Sequence, residues 1–313
     1  MRECSSSVIL FVRSPHMHYV FRTSIIRILI AVLACPLAVI SAQSGEPTCN
    51  GKSLSEWLLD LHGEASSGKV AEEAVRQIGT NALPTLLDMA GATDRNAKGV
   101  LAKLQNKQLQ EVYKSKEANV EDLRNLAVDG FAILGTNATP AIPQLTKLIR
   151  GPETRLQAMR ALTKVGPGGF SVLTNALADK DDEFRNNLVW VIGEEGGGDP
   201  KVITAILIHS LKDRDPTIRG NAADFLAGKD PNLAIPALIS VLDDREYYPR
   251  ARAAIALGSF GPAAKSASPK LLSVYTNVVA GQDKQLARDL GSALRDALKQ
   301  IDPAVAAKIE PEK

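Results

Sequence analysis

The sequence predicts an all-α chain, an α-α superhelix of about six or seven stacked helix pairs. Composition supports this prediction, because the 313 residues are 45% hydrophobic but only 4% aromatic. A core of alanine and aliphatic side chains suits closely packed helices better than sheets. A recurring pattern supports it as well. An alanine-rich helix, a glycine break and a second helix with proline in its first turn repeat along the chain.

The repeated units match one another in sequence. Residues 78–82 read Ile-Gly-Thr-Asn-Ala, and residues 134–138 read Leu-Gly-Thr-Asn-Ala. Further units place their breaks about 27 to 35 residues apart, at Gly135, Gly166, Gly193, Gly228 and Gly261. Proline costs no backbone hydrogen bond in the first turn of a helix. We therefore expect the second helices to begin near Pro84, Pro143, Pro167, Pro200, Pro236 and Pro269.

Charged residues recur in step with the helices. Acidic turns precede the first helices of the later units, with carboxylates at Asp181, Asp182, Asp213, Asp215, Asp243 and Asp244. One arginine follows in each unit, namely Arg155, Arg185, Arg219 and Arg252. Carboxylates at these positions can cap a helix and face the positive end of its dipole. We expect each arginine to pair with the acidic turn of a neighbouring repeat.

The glycine breaks, proline starts and matching cores resemble HEAT repeats of the short, PBS-lyase-like type. More closely, the chain is similar to exported HEAT-repeat proteins of Verrucomicrobia-like bacteria. The shared features are the opening segment Gly51–Leu58 and an insertion around residues 96–107. The resemblance covers residues 50–302 and implies an armadillo-like helical solenoid. It implies no particular activity, because a fold does not fix a function.

Residues 1–42 differ from the rest of the chain. Arg22 and Arg27 precede the apolar residues 28–34, and a small residue, Ala42, comes before a polar stretch. We interpret this segment as a signal peptide, with a retained membrane anchor or a lipidated form as alternatives and Met17 as an alternative start. Residues 43–313 would then form the solenoid in the periplasm or cell envelope. Its N-terminal cap is expected at about residues 50–65 and its C-terminal cap at about residues 282–302.

Charge and chemical motifs indicate a binding protein. Residues 1–42 hold four arginines and one glutamate, so the remaining chain has 33 basic and 34 acidic residues and no net field for nucleic acid. Cys49 is then the single cysteine. The spacings of metal ligands, of a nucleophile elbow and of a phosphate loop are absent. We expect no catalytic, cofactor or metal site.

Three individual features invite a functional interpretation. The glycine-rich stretch Glu194–Asp199 is interpreted as a flexible turn, with a weak cation site as the alternative. Trp190 is assigned to the core. His62 and His209 are isolated from other metal ligands, and His209 is expected at the rim of a helix.

We therefore predict a non-enzymatic scaffold that binds a protein partner on the concave face formed by the second helices. Nucleic acid is not expected as a partner, and a membrane is expected only through an uncleaved N-terminal segment. The alternatives are an enzyme or lyase-like accessory protein on the same scaffold and a nucleic-acid-binding HEAT protein. The predicted contact positions are Gln144, Lys147, Asn175, His209, Ser240, Lys270 and Asn277.

Overall fold

The computed structural model describes residues 45–63, 65–104, 106–115 and 119–309. The predicted targeting segment, residues 1–42, lies outside these residues. Within the described ranges nearly all regular structure is helical. None of the helices found there is long and apolar enough to cross a membrane.

A short hairpin and one helix precede the repeats. Strands β1 (Thr48–Cys49) and β2 (Lys52–Ser53) pair antiparallel around Asn50 and Gly51, which both have positive φ as a two-residue hairpin turn requires. Helix α1 (Leu54–Asp60) begins at a capping box formed by Ser53 and Glu56. The indole N–H of Trp57 donates to the carbonyl of Cys49 at 2.9 Å. This bond ties the hairpin to α1.

The helices that follow form pairs, with one insertion. In chain order they are α2 (Ala65–Ile78), α3 (Leu83–Ala90), α4 (Ala97–Lys103), α5 (Lys107–Lys114), α6 (Val120–Leu134), α7 (Ile142–Leu148), α8 (Arg155–Lys164), α9 (Pro167–Ala176), α10 (Asp182–Glu195), α11 (Pro200–Ser210), α12 (Pro216–Phe225), α13 (Pro231–Val241), α14 (Tyr247–Ser259), α15 (Ser268–Ala280), α16 (Lys284–Ile301) and α17 (Pro303–Ala306). Within the described residues, six pairs are α2/α3, α6/α7, α8/α9, α10/α11, α12/α13 and α14/α15. The predicted solenoid of helix pairs is confirmed.

The pairs stack into two layers. Each first helix from α6 to α14 packs against the next first helix, and α16 covers both α14 and α15. The second helices form the other layer, in which α3 contacts α7, α7 contacts α9 and α11 contacts α13. Fully buried side chains such as Phe131, Leu162, Leu188 and Leu238 fill the space between the layers. One face of every second helix is thereby buried, and the opposite face is left outward.

The glycine breaks mostly lie where the pattern predicts them. Gly135, Gly166, Gly228 and Gly261 have positive φ, the conformation that ends a helix and favours glycine. Gly193 was the wrong choice for the fourth break. It lies inside α10, where the ring of Phe225 occupies the place of a side chain, and a Cβ would meet that ring at 2.2 Å. The chain turns instead at Gly196.

One predicted helix start was also wrong. Helix α13 begins at Pro231, because the carboxylate of Asp230 accepts the backbone N–H of Asn232 and caps the helix there. Pro236, the predicted start, lies inside the helix. The other second helices carry proline at their first or second position as expected.

Buried guanidinium–carboxylate pairs join neighbouring repeats. Arg185 donates to both carboxylate oxygens of Asp213 at 2.8 and 2.7 Å, and Arg219 donates to both oxygens of Asp244 at 2.6 and 2.7 Å. The two arginine side chains are only 4% and 8% exposed. Each arginine also donates to a backbone carbonyl in its own turn. The predicted pairing with the next acidic turn is confirmed at these two junctions.

The predicted series of arginine–aspartate pairs between neighbouring repeats, called the ladder below, is weaker or absent at its two ends. Arg155 approaches Asp181 at 3.6 Å. Arg252 does not join the ladder, because it pairs with Asp224 on the preceding first helix at 3.0 Å. The position that corresponds to Arg219, four residues after the N-cap, is occupied in the last repeat by Arg250. The prediction for Arg252 was therefore wrong by half a helical turn.

The arginines determine the protonation of their partners. Burial raises the pKa of Asp213 and of Asp244, but hydrogen bonds from Arg185 or Arg219 and from a backbone N–H more than offset it. Both pKa values are lowered. A carboxyl whose pKa is lower in the folded state stabilises the fold above its unfolded pKa, and this contribution is lost as the pH falls.

We predict that Arg219→Ala lowers the free energy of unfolding by about 3 kcal/mol at neutral pH, because it leaves Asp244 buried without its partner. Urea denaturation followed by circular dichroism measures the change. Arg245→Ala, at a side chain 76% exposed, is the matched control and should change it by less than about 0.5 kcal/mol. The difference in the free energy of unfolding between wild type and Arg219→Ala should become smaller below about pH 4, where aspartate protonates in the unfolded chain. An equal loss in both variants would contradict the ladder.

Candidate interaction surface

The outward face of the second helices differs in charge from the rest of the molecule. Helices α7, α9, α11, α13 and α15 contain no aspartate or glutamate. Their ionisable side chains are Lys147, Lys201, His209 and Lys270, with the single tyrosine Tyr275. A partner that covers this face would therefore meet no negative side chain on these five helices.

The predicted contact positions all lie in this second-helix layer. Six of them are exposed, namely Gln144, Lys147, Asn175, His209, Ser240 and Asn277. Lys270 is half-buried, and its ammonium group pairs with Asp243 at 2.5 Å. The structure thus distributes these side chains along one layer. Their role in binding stays a prediction.

Sequence reasoning missed exposed aliphatic side chains on the same helices. Val202 on α11, Leu233 on α13 and Val279 on α15 are 43%, 43% and 48% exposed. A pattern of apolar residues alone assigns such side chains to the core. Their position could have been noticed, because Val202 is adjacent to Ile203 and falls outside the stripe of Ile203, Ile206 and Leu207 that is buried.

A groove of about 530 Å³ lies between α9 and α11. Its lining residues are Thr174, Leu177, Ala178, Lys201, Val202, Ala205, Ile206 and His209. Most of these side chains are apolar. Ala178, Lys201, Val202, Ala205 and His209 are exposed, so the groove is open to solvent along α11.

The polar atoms of the groove are mainly donors. The hydroxyl of Thr174 donates to the carbonyl of Ser171 at 2.9 Å and is satisfied within its own helix. Lys201 and His209 lie two turns apart on α11, about 12 Å along its axis. No ion pair or hydrogen bond of either side chain is found in the part of the chain that the structure describes. The groove therefore presents an apolar floor between two unpaired nitrogen groups.

Comparisons with known proteins agree with the repeat pattern. A family model described as HEAT repeats matches residues 204–288, which span helices from α11 to α16. Residues 204–288 are therefore similar to HEAT repeats. No curated protein sequence matches it.

Solved structures similar to this chain include an engineered protein at 17% identity. The match covers 79% of this chain and 97% of the engineered protein, with a TM-score of 0.37. The complex of CpcE and CpcF of phycocyanin lyase from Nostoc sp. PCC7120 contains a chain that is 19% identical. The match covers 51% of this chain and 98% of that chain, with a TM-score of 0.39. An archaeal HEAT-like repeats protein from Thermococcus onnurineus NA1 is 13% identical. The match covers 80% of this chain and 100% of the archaeal protein, with a TM-score of 0.36.

The first-helix layer of the solenoid uses its polar side chains internally. Arg160 donates to Asn125 on the preceding first helix at 3.2 Å, and Asn221 donates to Asn186 at 2.8 Å. Tyr248 extends this second contact by donating to Asn221 at 3.0 Å. Trp190, assigned to the core from sequence, is 40% exposed on this layer. That assignment was wrong, because Val189 and Val191 on either side of it are the residues that point inward.

The glycine-rich stretch forms a packed turn of the fourth helix pair. The carboxylate of Glu195 accepts from Arg160 and from Lys164, and that of Asp199 accepts the backbone N–H of Lys201 at 2.8 Å. Both acids are thus engaged in structure. Gly197 has a φ of 82° and lies directly against the carbonyl of Thr163. The stretch is a turn, and its flexibility stays a prediction. No cluster of three potential metal ligands exists among the described residues.

We predict that Gly197→Ala lowers the free energy of unfolding by about 3 kcal/mol, because its Cβ would lie 2.4 Å from the Thr163 oxygen. Gly228→Ala is the matched control. Gly228 has a similar φ of 73°, but no atom would lie within 4 Å of an added Cβ. Gly228→Ala should therefore lower the free energy of unfolding by about 1 kcal/mol, through backbone strain alone. Thermal and urea unfolding of both variants measure the difference. Equal losses would show that the close approach does not constrain the turn.

Proposed function

We propose that this HEAT-repeat chain is a non-enzymatic scaffold that binds a protein partner through the outward face of its second helices. The observation that carries the proposal is a layer of five helices without a carboxylate, on which Val202, Leu233 and Val279 are 43–48% exposed. Exposed aliphatic side chains favour association, because a partner that covers them removes apolar area from water.

Polar side chains beside this aliphatic area support the same function. Protein interfaces combine an apolar centre with a polar rim that forms hydrogen bonds to the partner. The exposed Gln144, Asn175, Ser240 and Asn277 offer neutral donors and acceptors. Neutral groups lose less hydration energy on burial than charged groups do. The face therefore combines uncharged polar groups with apolar area, as a binding surface requires.

We also propose that the protein acts in the periplasm or cell envelope. The support is the sequence pattern of residues 1–42, in which Arg22 and Arg27 precede the apolar residues 28–34. A partner would then be another component of the envelope.

The binding proposal predicts a position-dependent cross-link. A photoreactive amino acid placed singly at Asn175, Ser240 or Asn277 should form an adduct in intact cells with one and the same polypeptide, identified by mass spectrometry. Ala132 and Ile255, exposed on first helices, are the control positions and should form little of this adduct. Equal adducts from both layers, or none from the second helices, would refute the proposed binding face.

The location predicts a processed N-terminus. Cell fractionation should recover the protein outside the cytoplasm, and N-terminal sequencing should begin near residue 43. A chain that starts at Met1 or Met17 and stays with cytoplasmic markers would refute export. A membrane-bound chain with an intact N-terminal segment would identify the retained anchor instead.

A further inference from the structure

We propose that the groove between α9 and α11 binds an acidic, aliphatic peptide segment of the partner. An aliphatic side chain would enter the groove, and a neighbouring carboxylate would pair with Lys201. This inference rests on the proposed function for the existence of a protein partner. It adds the place of recognition and the chemistry of the recognised segment.

The shape of the groove follows from the packing of the second helices. Helix α9 contacts α7 and α11 contacts α13, and the groove lies at the junction between these two contacts, where α9 and α11 face each other. Small residues at this junction leave it unfilled, since Ala178 and Ala205 are both exposed at its edge. Leu177 and Ile206 form the inner wall and are mostly buried. The result is an apolar depression between α9 and α11.

The size of the groove favours side chains of a peptide over a folded domain. Its volume of about 530 Å³ lies within the range of sites that hold a small ligand or a few side chains. Because the lining residues along α11 are exposed, an occupant can continue past the groove in both directions. An extended segment meets this requirement, and its backbone need not be buried.

The charge around the groove selects an anion. Lys201 lies in the first turn of α11, and no acidic side chain lines the groove. Asp199, which precedes it, accepts the backbone N–H of Lys201 and forms no ion pair with its ammonium group. The nearby Asp179 and Asp213 pair with Arg150 and Arg185. A carboxylate from the partner would therefore be the counter-ion of Lys201.

Selection of displayed peptides tests the inference. A phage library of random twelve-residue peptides is selected on the full chain as isolated from cells, and the enriched peptides are synthesised with a fluorescent label. We expect enriched sequences to hold Leu, Ile or Val within about three residues of Asp or Glu, the reach of adjacent side chains on an extended strand. Fluorescence anisotropy should show weaker binding when the acid is replaced by its amide or the aliphatic residue by serine.

Variants of the protein locate the peptide. Ala205→Glu places a carboxylate at the groove and should weaken binding by about tenfold or more, because it repels the acidic peptide. Lys201→Gln should weaken it by several-fold, and Lys201→Arg should retain it. Ala132→Glu, at an exposed alanine on α6, is the matched control and should bind as the wild type does. Circular dichroism checks that each variant is folded.

The outcomes separate this inference from the proposed function. If peptides bind through the second helices but Ala205→Glu leaves their affinity unchanged, the groove is the wrong place while the scaffold proposal stands. Enriched peptides without acids would refute the assigned chemistry. Laurate, an aliphatic carboxylate, is the probe for a lipid. If laurate binds and displaces the peptide, and Ala205→Glu abolishes its binding, the groove is a lipid carboxylate site and the peptide assignment fails. Loss of the cross-links at Asn175, Ser240 and Asn277 would instead refute the proposed function itself.

Discussion

The register at the centre of the array depends on buried pairing between an arginine of one repeat and an aspartate that begins the next. A bidentate guanidinium–carboxylate pair fixes both distance and direction, which a purely apolar contact does not. Arg185 and Arg219 hold the turns at Asp213 and Asp244 in this way. Because each pair fixes where the next first helix starts, it also fixes where the following second helix lies. The continuity of the second-helix face is therefore a consequence of contacts made at the turns.

Sequence reasoning predicted the features that local backbone chemistry determines. A break with positive φ favours glycine, and the first turn of a helix tolerates proline, so Gly135, Gly166 and Pro200 could be interpreted without knowledge of their neighbours. The errors arise where a distant contact decides. Gly193 is present because a ring from α12 packs on it, and Arg252 pairs with Asp224 on the preceding first helix. Neither contact can be deduced from spacing along the chain.

The candidate surface was predictable only in part for the same reason. Exposed polar residues such as Asn175 and Asn277 follow from helical periodicity, because they lie opposite the apolar stripe. The groove has no such signal, since it depends on how closely α9 approaches α11. Val202 and Trp190 show the corresponding limit for apolar residues. Both lie within apolar runs of sequence, and the two layers of the fold decide that they point outward.

The distribution of charge connects the stability of the array with its proposed use. Carboxylates at Asp213, Asp244 and Glu195 form pairs at turns and between first helices, where they contribute to the fold. The five second helices from α7 to α15 contain no carboxylate, so the buried ion-pair network and the outward face share almost no residues. A substitution at Ala205 or Lys201 can therefore change recognition without removing a ladder contact. This separation allows binding specificity to vary while the register of the repeats stays fixed, and it is why variants of the groove are expected to remain folded.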